Sequence, residues 1–295
     1  MLKVYTLYSD SHTVLFHDYF LPSLKNTDLE LHAIKSEQNG SGIFMEKWWQ
    51  QSMLQKIDVI LEAIKENYNN IFVYSDVDII FFQKISQDLL SRMNQKNADI
   101  LFQSDCYDSS YYNAGFFACR ANETTLALWK ECREKSQEAI SHRTGKNEQD
   151  ILNEMLNLNE KMITFWCLPW DKYYTPKERI INLNSIPPIP DNICIYHANW
   201  LIGVKNKQIL LWKVQKMRAD NQCISSWEYT AFCKNRVKQQ QTLKYLFVSF
   251  IHKWIFFIYK KYSVICQSLK TLFIISEKSP ENTISCADGS KNSST

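Results

Sequence analysis

Glycine is scarce in this sequence, with six residues among 295. None falls in Tyr8-Ser9-Asp10-Ser11-His12, which follows the first predicted strand. That argues against a nucleotidyltransferase, whose first strand usually leads into a Gly-rich phosphate loop. The sequence also has no Cys-x-x-Cys pair. Its nine cysteines are scattered at Cys106, Cys119, Cys132, Cys167, Cys194, Cys223, Cys233, Cys266 and Cys286, which leaves a zinc or dithiol redox reading without support. An odd number in a chain this long fits free, buried thiols in a reducing compartment. The N-terminus lacks the apolar stretch and small-residue cleavage site of a secretory signal. Met1–Asp10 therefore reads as a first strand and the protein as cytoplasmic. The sequons Asn39-Gly40-Ser41 and Asn122-Glu123-Thr124 are then expected to stay unmodified. Nowhere does an uninterrupted apolar run reach the ~20 residues of a transmembrane helix.

The composition is otherwise ordinary: 45% hydrophobic and 22% charged residues, enough for one large α/β domain with a real core. The net charge of +3 is unevenly spread. Residues 229–276 carry eight Lys or Arg and no Asp or Glu, and residues 277–295 carry a net −1, which leaves −4 on residues 1–228. An acidic body with a basic C-terminal segment points to a local partner surface for that segment. It does not fit a nucleic-acid binder, whose basic residues would lie across the folded domain.

Strand and helix signals alternate through the first half. Lys3–Tyr8 and Leu29–Ile34 are short strand candidates. Glu46–Asn67 places Trp49, Met53, Ile57, Ile60 and Ile64 at helical spacing. Ile71–Ser75 is apolar, β-branched and aromatic, as expected of a strand buried on both faces. Asp99–Gln103 and Gly115–Cys119 are further strands. Asn122 is placed to cap a helix through about Ala139, and another helix is expected over Glu148–Leu158. Ile193–Tyr196 reads as a last strand before His197. Such alternation predicts a doubly wound α/β sheet, in which ligands bind beyond the carboxyl ends of the strands. A composition change near Ser226 marks the expected boundary between a domain of residues 1–226, a basic segment 227–276 and a polar, disordered tail 277–295.

The sharpest local signal is Tyr74-Ser75-Asp76-Val77-Asp78-Ile79-Ile80-Phe81-Phe82. A buried strand runs into two carboxylates and then turns apolar again. Two ionised carboxylates this close repel each other, and burial raises the cost. A divalent cation removes the conflict and can also bridge two phosphates. By itself Asp-x-Asp is as readily a solvated turn; the flanking apolar runs favour a site. Tyr111-Tyr112-Asn113-Ala114-Gly115 lets backbone and an amide approach a ligand closely. Asn147-Glu148-Gln149-Asp150 opens a helix with polar side chains, which also suits plain capping. His197 follows a strand and precedes Gly203 and Lys207; a neutral imidazole completes a metal's coordination and a lysine pairs with phosphate.

Together these segments resemble the GT-A glycosyltransferases. The likeness is nearest to the nucleotide-diphospho-sugar transferase family and more distant to the glycogenin-like and lipooligosaccharide galactosyltransferases. It covers about Lys3 to Leu211 and implies an α/β fold with a GT-A (Rossmann-like) mixed sheet flanked by helices. The resemblance implies Asp76, Asp78 and His197 as ligands of Mn2+ or Mg2+. It implies donor contacts from Thr6, Tyr8, Lys56, Asp76, Val77, Asn113, Ala114, Gly115, Gly203 and Lys207. Asp105, Glu148 and Gln149 are the implied catalytic residues, with Gln149 near the anomeric carbon. Relatives often have Asp where this chain has Glu148, and the glycogenin-like group has fewer residues between the His and the Lys.

The implied activity is metal-dependent transfer of a hexose or pentose from a nucleotide-diphosphate sugar, a UDP-sugar above all, to a glycan or lipid-linked acceptor with retention. The alternative is a catalytically silent sugar-nucleotide-binding or scaffold protein at a membrane. Leu243–Ile275 carries one polar stripe on an apolar background and reads as an amphipathic helical tail on an anionic membrane surface, on the inner face of a membrane. The same pattern also suits a helix packed on protein.

Overall fold

The structure is a computed structural model that describes residues 1–25, 27–36, 47–105, 111–158, 162–176, 183, 186–225, 227–229, 231–232 and 234–235. The chain forms two compact units, Met1–Val237 and Lys238–Thr295, and every described residue belongs to the first. The expected amphipathic tail and the polar terminus lie outside the described residues, as does the side chain of Trp49.

Among the described residues nine strands form two sheets. The larger contains β1 (Leu2–Ser9), β2 (Leu29–Ser36), β3 (Ile71–Ser75), β5 (Ile100–Ser104), β6 (Tyr112–Arg120) and β7 (Phe165–Cys167), in the order β2-β1-β3-β6-β5-β7. The smaller contains β4 (Ile79–Phe81), β8 (Tyr173–Tyr174) and β9 (Ile195–His197), in the order β4-β9-β8. The helices are α1 (Leu21–Leu24), α2 (Lys47–Glu66), α3 (Ser86–Gln95), α4 (Glu123–Ser141), α5 (Glu148–Leu158) and α6 (Val204–Ala219). A π-helical turn, Leu15–Phe20, runs into α1. Among the described residues no helix is long and apolar enough to cross a membrane.

The expected mixed sheet flanked by helices is what forms. The simpler doubly wound pattern is corrected at β6, which runs antiparallel to both β3 and β5. Strand–helix alternation in sequence does not reveal this, because the direction of a strand depends on where its connection re-enters the sheet. Two apolar layers cover the larger sheet. Ile57, Ile60 and Ile64 of α2 and Trp129 of α4 are buried with Phe72, Tyr74 and Phe117 on one side. Val4, Val73, Phe116 and Ala118 pack with β4, β9 and α6 on the other. Asn122 caps α4 as expected: its side chain accepts from Thr125 N, and Thr125 Oγ1 accepts from Asn122 N.

Two features position the site. β3 and β4 belong to different sheets, so Asp76-Val77-Asp78 spans the junction between them. β4 pairs antiparallel with β9, which sets Ile79 opposite His197. In β6 the register against β5 jumps between Phe102↔Phe117 and Gln103↔Asn113. The irregularity bends Ala114-Gly115-Phe116 against the Asp76 turn, where Asp76 N donates to Gly115 O at 2.7 Å. Bulges of this kind re-aim side chains beside ligand sites.

Candidate active site

Asp76, Asp78 and His197 each present one ligand atom, and these atoms lie within 4.8 Å of one another. Asp78 and His197 are buried and Asp76 is half-buried. His197 Nε2 stands 3.2 Å from Asp78 Oδ1. Two carboxylate oxygens and an imidazole nitrogen suit a hard-to-borderline divalent cation such as Mn2+ or Mg2+. The absent side chain of Gly115 is part of the fit. A Cβ there would lie 2.5 Å from His197 Cε1, 2.6 Å from Asp76 Oδ2 and 2.9 Å from Asn113 Oδ1.

Each carboxylate has its own lysine. Lys56, on α2, is 3.1 Å from Asp76 Oδ1 and 3.2 Å from Glu148 Oε1. Burial works against the Lys56 charge, but Asp76 and Glu148 outweigh it and raise the ammonium above its usual range. Lys207, on α6, donates to Asp78 Oδ2 at 2.5 Å. Burial would push the Asp78 carboxyl up. Lys207 outweighs that and holds it well below the usual carboxylate range. The two lysines supply positive charge on either side of the carboxylate pair.

Both aspartates and both lysines face an open cavity of about 220 Å³. Tyr8, Lys56, Asp76, Val77, Asp78, Glu148 and Lys207 all line it. Tyr8 stacks flat on Phe16, with ring centroids 4.0 Å apart. Thr6 is placed differently. Its side chain is fully buried within β1, it does not line the cavity, and its hydroxyl has no hydrogen-bond partner. Thr6 shares a face of β1 with Tyr8 but lies two residues further back inside the sheet, while Leu7, Tyr8 and Ser9 at the strand end reach the opening.

Asp105, Asn113 and Gln149 come together, but as a wired support. Asp105 is 1% exposed. Its Oδ1 accepts from Asn113 Nδ2 at 3.0 Å and Asn199 Nδ2 at 2.8 Å, and its Oδ2 accepts from Gln149 Nε2 at 2.9 Å. Gln149 Oε1 accepts from Ala114 N, and Asn113 Oδ1 accepts from Gly115 N. This network ties β5, the β6 bulge, the start of α5 and the loop after β9 into one frame. Gly203 lies in the left-handed region at φ +91° and caps α6 at its N-terminus, four residues before Lys207. Trp200, half-exposed in the same loop, also has a positive φ of 61°, an uncommon conformation for a bulky side chain.

Three residues of the site carried no assigned role in the sequence. Gln103 Oε1 accepts from His197 Nδ1 at 2.8 Å. Asn199 anchors the loop to Asp105. His12 lines the cavity with its Nδ1 within reach of Ser9 and Ser11 hydroxyls at 3.2 and 2.9 Å; burial and then Lys207 lower its pKa. The available signal was position: Gln103 is a polar residue inside an apolar strand, and His12 follows a strand end.

The model of the nucleotide-diphospho-sugar transferase family matches residues 19–211. An uncharacterized protein of Arabidopsis thaliana is 27% identical over 154 residues, which is 52% of this chain and 41% of that protein. The match thus spans well under half of that protein's length. Two solved structures align over most of their own chains. One is a glycosyltransferase involved in glycosylation of the major capsid of PBCV-1, at 12% identity and TM-score 0.49, covering 71% of this chain and 98% of that one. The other is the galactosyltransferase LgtC with donor and acceptor sugar analogues, at 10% identity and TM-score 0.38, covering 72% and 96%.

Proposed function

The chain belongs to the nucleotide-diphospho-sugar transferase family, and on that premise we propose that it transfers a hexose or pentose from a nucleotide-diphosphate sugar, with a UDP-sugar as donor, to a glycan or lipid-linked acceptor. One observation carries the reading: Asp76, Asp78 and the buried His197 converge, and the two carboxylates line an open cavity together with Lys56 and Lys207. Asp76, Asp78 and His197 would hold Mn2+ or Mg2+. The ion would supply charge stabilisation for a departing nucleoside diphosphate.

The remaining roles belong to the chain itself. The first turn of α6 carries Lys207, and its N-terminus is a suitable cradle for the diphosphate. Tyr8 and Ser9 border the nucleoside end of the cavity, and His12, held neutral by its surroundings, offers a ring nitrogen to the same ligand. Glu148 and Lys56 face the donor sugar. Gln149, Asp105 and Asn113 act on that sugar chiefly by fixing the β6 bulge.

Retention of anomeric configuration is part of the proposal. The carboxylates at the site are already engaged: Asp76 and Glu148 by Lys56, Asp78 by Lys207, and Asp105 by three amides. None of these is free to attack carbon or to take a proton from the opposite face. A front-face path fits better, in which the acceptor oxygen bonds to the anomeric carbon as the C–O bond to the phosphate breaks. The departing phosphate oxygen then takes the acceptor's proton. Proton NMR of the product linkage tests this, and an inverted linkage would remove it.

The basic 229–276 segment supports a further part of the proposal: cytoplasmic location, with attachment to the inner face of an anionic membrane. Flotation of the full chain with anionic vesicles tests that part. For the activity, calorimetric titration of UDP and UDP-sugars with Mn2+ and with chelator is decisive. Metal-dependent binding lost in Asp78→Ala is expected; a folded wild-type protein that binds no sugar nucleotide would overturn the reading.

A further inference from the structure

Gln103 lies at the end of β5 with no solvent exposure. Its side-chain Nε2 is 3.2 Å from the carbonyl oxygen of Tyr173 and 2.9 Å from that of Tyr174, both in β8. An amide nitrogen has two hydrogens, and both are used there. The reverse orientation would set the amide oxygen against two carbonyl oxygens in a dry interior, so the orientation of this amide is dictated by its neighbours. Oε1 therefore faces His197 Nδ1, at 2.8 Å.

An amide oxygen only accepts, so Nδ1 must carry a proton. In the neutral imidazole Nε2 is then unprotonated, and its lone pair points toward Asp78 Oδ1 at 3.2 Å. A lone pair and a carboxylate facing each other need an electrophile between or beside them. Asp76 brings a third donor within 4.8 Å of both. The ring itself is held in place from the other side, because Gly115 sits directly against its Cε1.

We propose that Gln103 is the positioning residue that fixes the tautomer and plane of His197, so that Nε2 is delivered as a ligand to the cation. The chain of command runs from two carbonyls of β8, through the Gln103 amide, to His197 on β9. It crosses from the smaller sheet to the larger and back, so the ligand's tautomer depends on how the two sheets meet. The proposal rests on the reading of Asp76, Asp78 and His197 as a cation site, and it acts on this chain's own histidine whether or not the cation is bound. Gln103 touches neither donor nor acceptor sugar.

The experiment is 15N NMR of His197 in metal-free and Mg2+-loaded full-length protein, together with Mn2+ titration calorimetry. The wild type is expected to hold its proton on Nδ1 in both states. Gln103→Met keeps the length and removes the acceptor. It should shift the proton toward Nε2 and weaken Mn2+ binding about 10- to 100-fold, the usual cost of losing an outer partner of a metal-bound histidine. Gln103→Glu, which burial against the Tyr173 and Tyr174 carbonyls would hold protonated with its O–H donated to them, restores an acceptor toward Nδ1 and should recover most of the affinity. Thermal unfolding of each variant separates this from general instability. A wild-type His197 with an unprotonated Nδ1 overturns the proposal without any variant. So does a Gln103→Met protein with unchanged tautomer and Mn2+ affinity. If the wild type binds no Mn2+ but its Nδ1 is protonated, the cation reading fails while the Gln103–His197 link stands.

Discussion

Gly115 faces His197 so closely that a methyl group on its Cα would lie 2.5 Å from the ring carbon Cε1. The backbone of Gly115 does not have a positive φ, so the constraint is steric and comes from across the site. Gly115→Ala must displace His197, Asp76 or Asn113. Overpacking of this sort typically costs about 1–3 kcal/mol. The variant is expected to fold with a lowered Tm and to bind Mn2+ at least about tenfold more weakly, since a one-ångström shift spoils metal geometry. Calorimetry and a melting curve check this; wild-type Mn2+ affinity in Gly115→Ala would contradict the placement of the cation.

Lys207 should separate the two ligands of the site. It neutralises Asp78 at 2.5 Å and is also the proposed diphosphate contact. Lys207→Met removes a competing cation from Asp78, so Mn2+ alone should bind as well as or better than in the wild type. UDP with Mn2+ should bind about 10- to 100-fold more weakly, the loss expected for one charged hydrogen bond. Loss of both affinities together would mean that Lys207 chiefly holds the fold.

Lys56 is the shared partner of two carboxylates and is 8% exposed. Removing one member of a buried charged cluster costs about 3–5 kcal/mol because the others are left unpaired. Lys56→Met should therefore unfold at markedly lower denaturant. Adding Glu148→Gln should return part of the loss by removing one stranded charge. Equal midpoints for the single and double variants would show that Glu148 gains nothing from Lys56.

Asp28 provides a pH-dependent prediction away from the site. Its Oδ1 accepts from the backbone of Ile85 and Ser86 at 3.1 and 3.2 Å, which caps α3 from a distant part of the chain. Burial pushes its pKa up, but the hydrogen bonds from Ser86 and Ile85 outweigh that and lower it. A depressed carboxyl stabilises the fold above its unfolded pKa, and that contribution is lost as pH falls through the folded value. Asp28→Ala should cost about 1 kcal/mol at neutral pH, as for a lost cap. The gap between variant and wild type should close below about pH 4. Urea midpoints measured across pH decide it, and a gap independent of pH would refute the capping role.

Much of the architecture could be read from local pattern. Ile71–Ser75 and Glu148–Leu158 form with the expected bounds, and Asn122 caps α4. Asp76-Val77-Asp78 stood out because two carboxylates interrupt an otherwise apolar run. Thr6 and Tyr8 share a face of β1, and how far the cavity reaches down the strand separates them: Tyr8 borders it and Thr6 is buried. Asp105 and Gln149 were expected as catalytic residues from the family resemblance alone. Their engagement with Asn113, Asn199 and Ala114 became visible only once distant segments met.

By itself the sequence determined the elements, the family likeness and the kinds of ligand atom available, because these follow from residue type and short-range spacing. Tertiary structure alone decided the direction of β6, the bulge at Gly115 and the partner of each charge. It also decided which nitrogen of His197 is free for a cation. That last choice depends on Gln103, 94 residues away along the chain, and on the carbonyls behind it. Hydrogen-bond accounting of this kind is a property of groups brought together in space, and no local pattern encodes it.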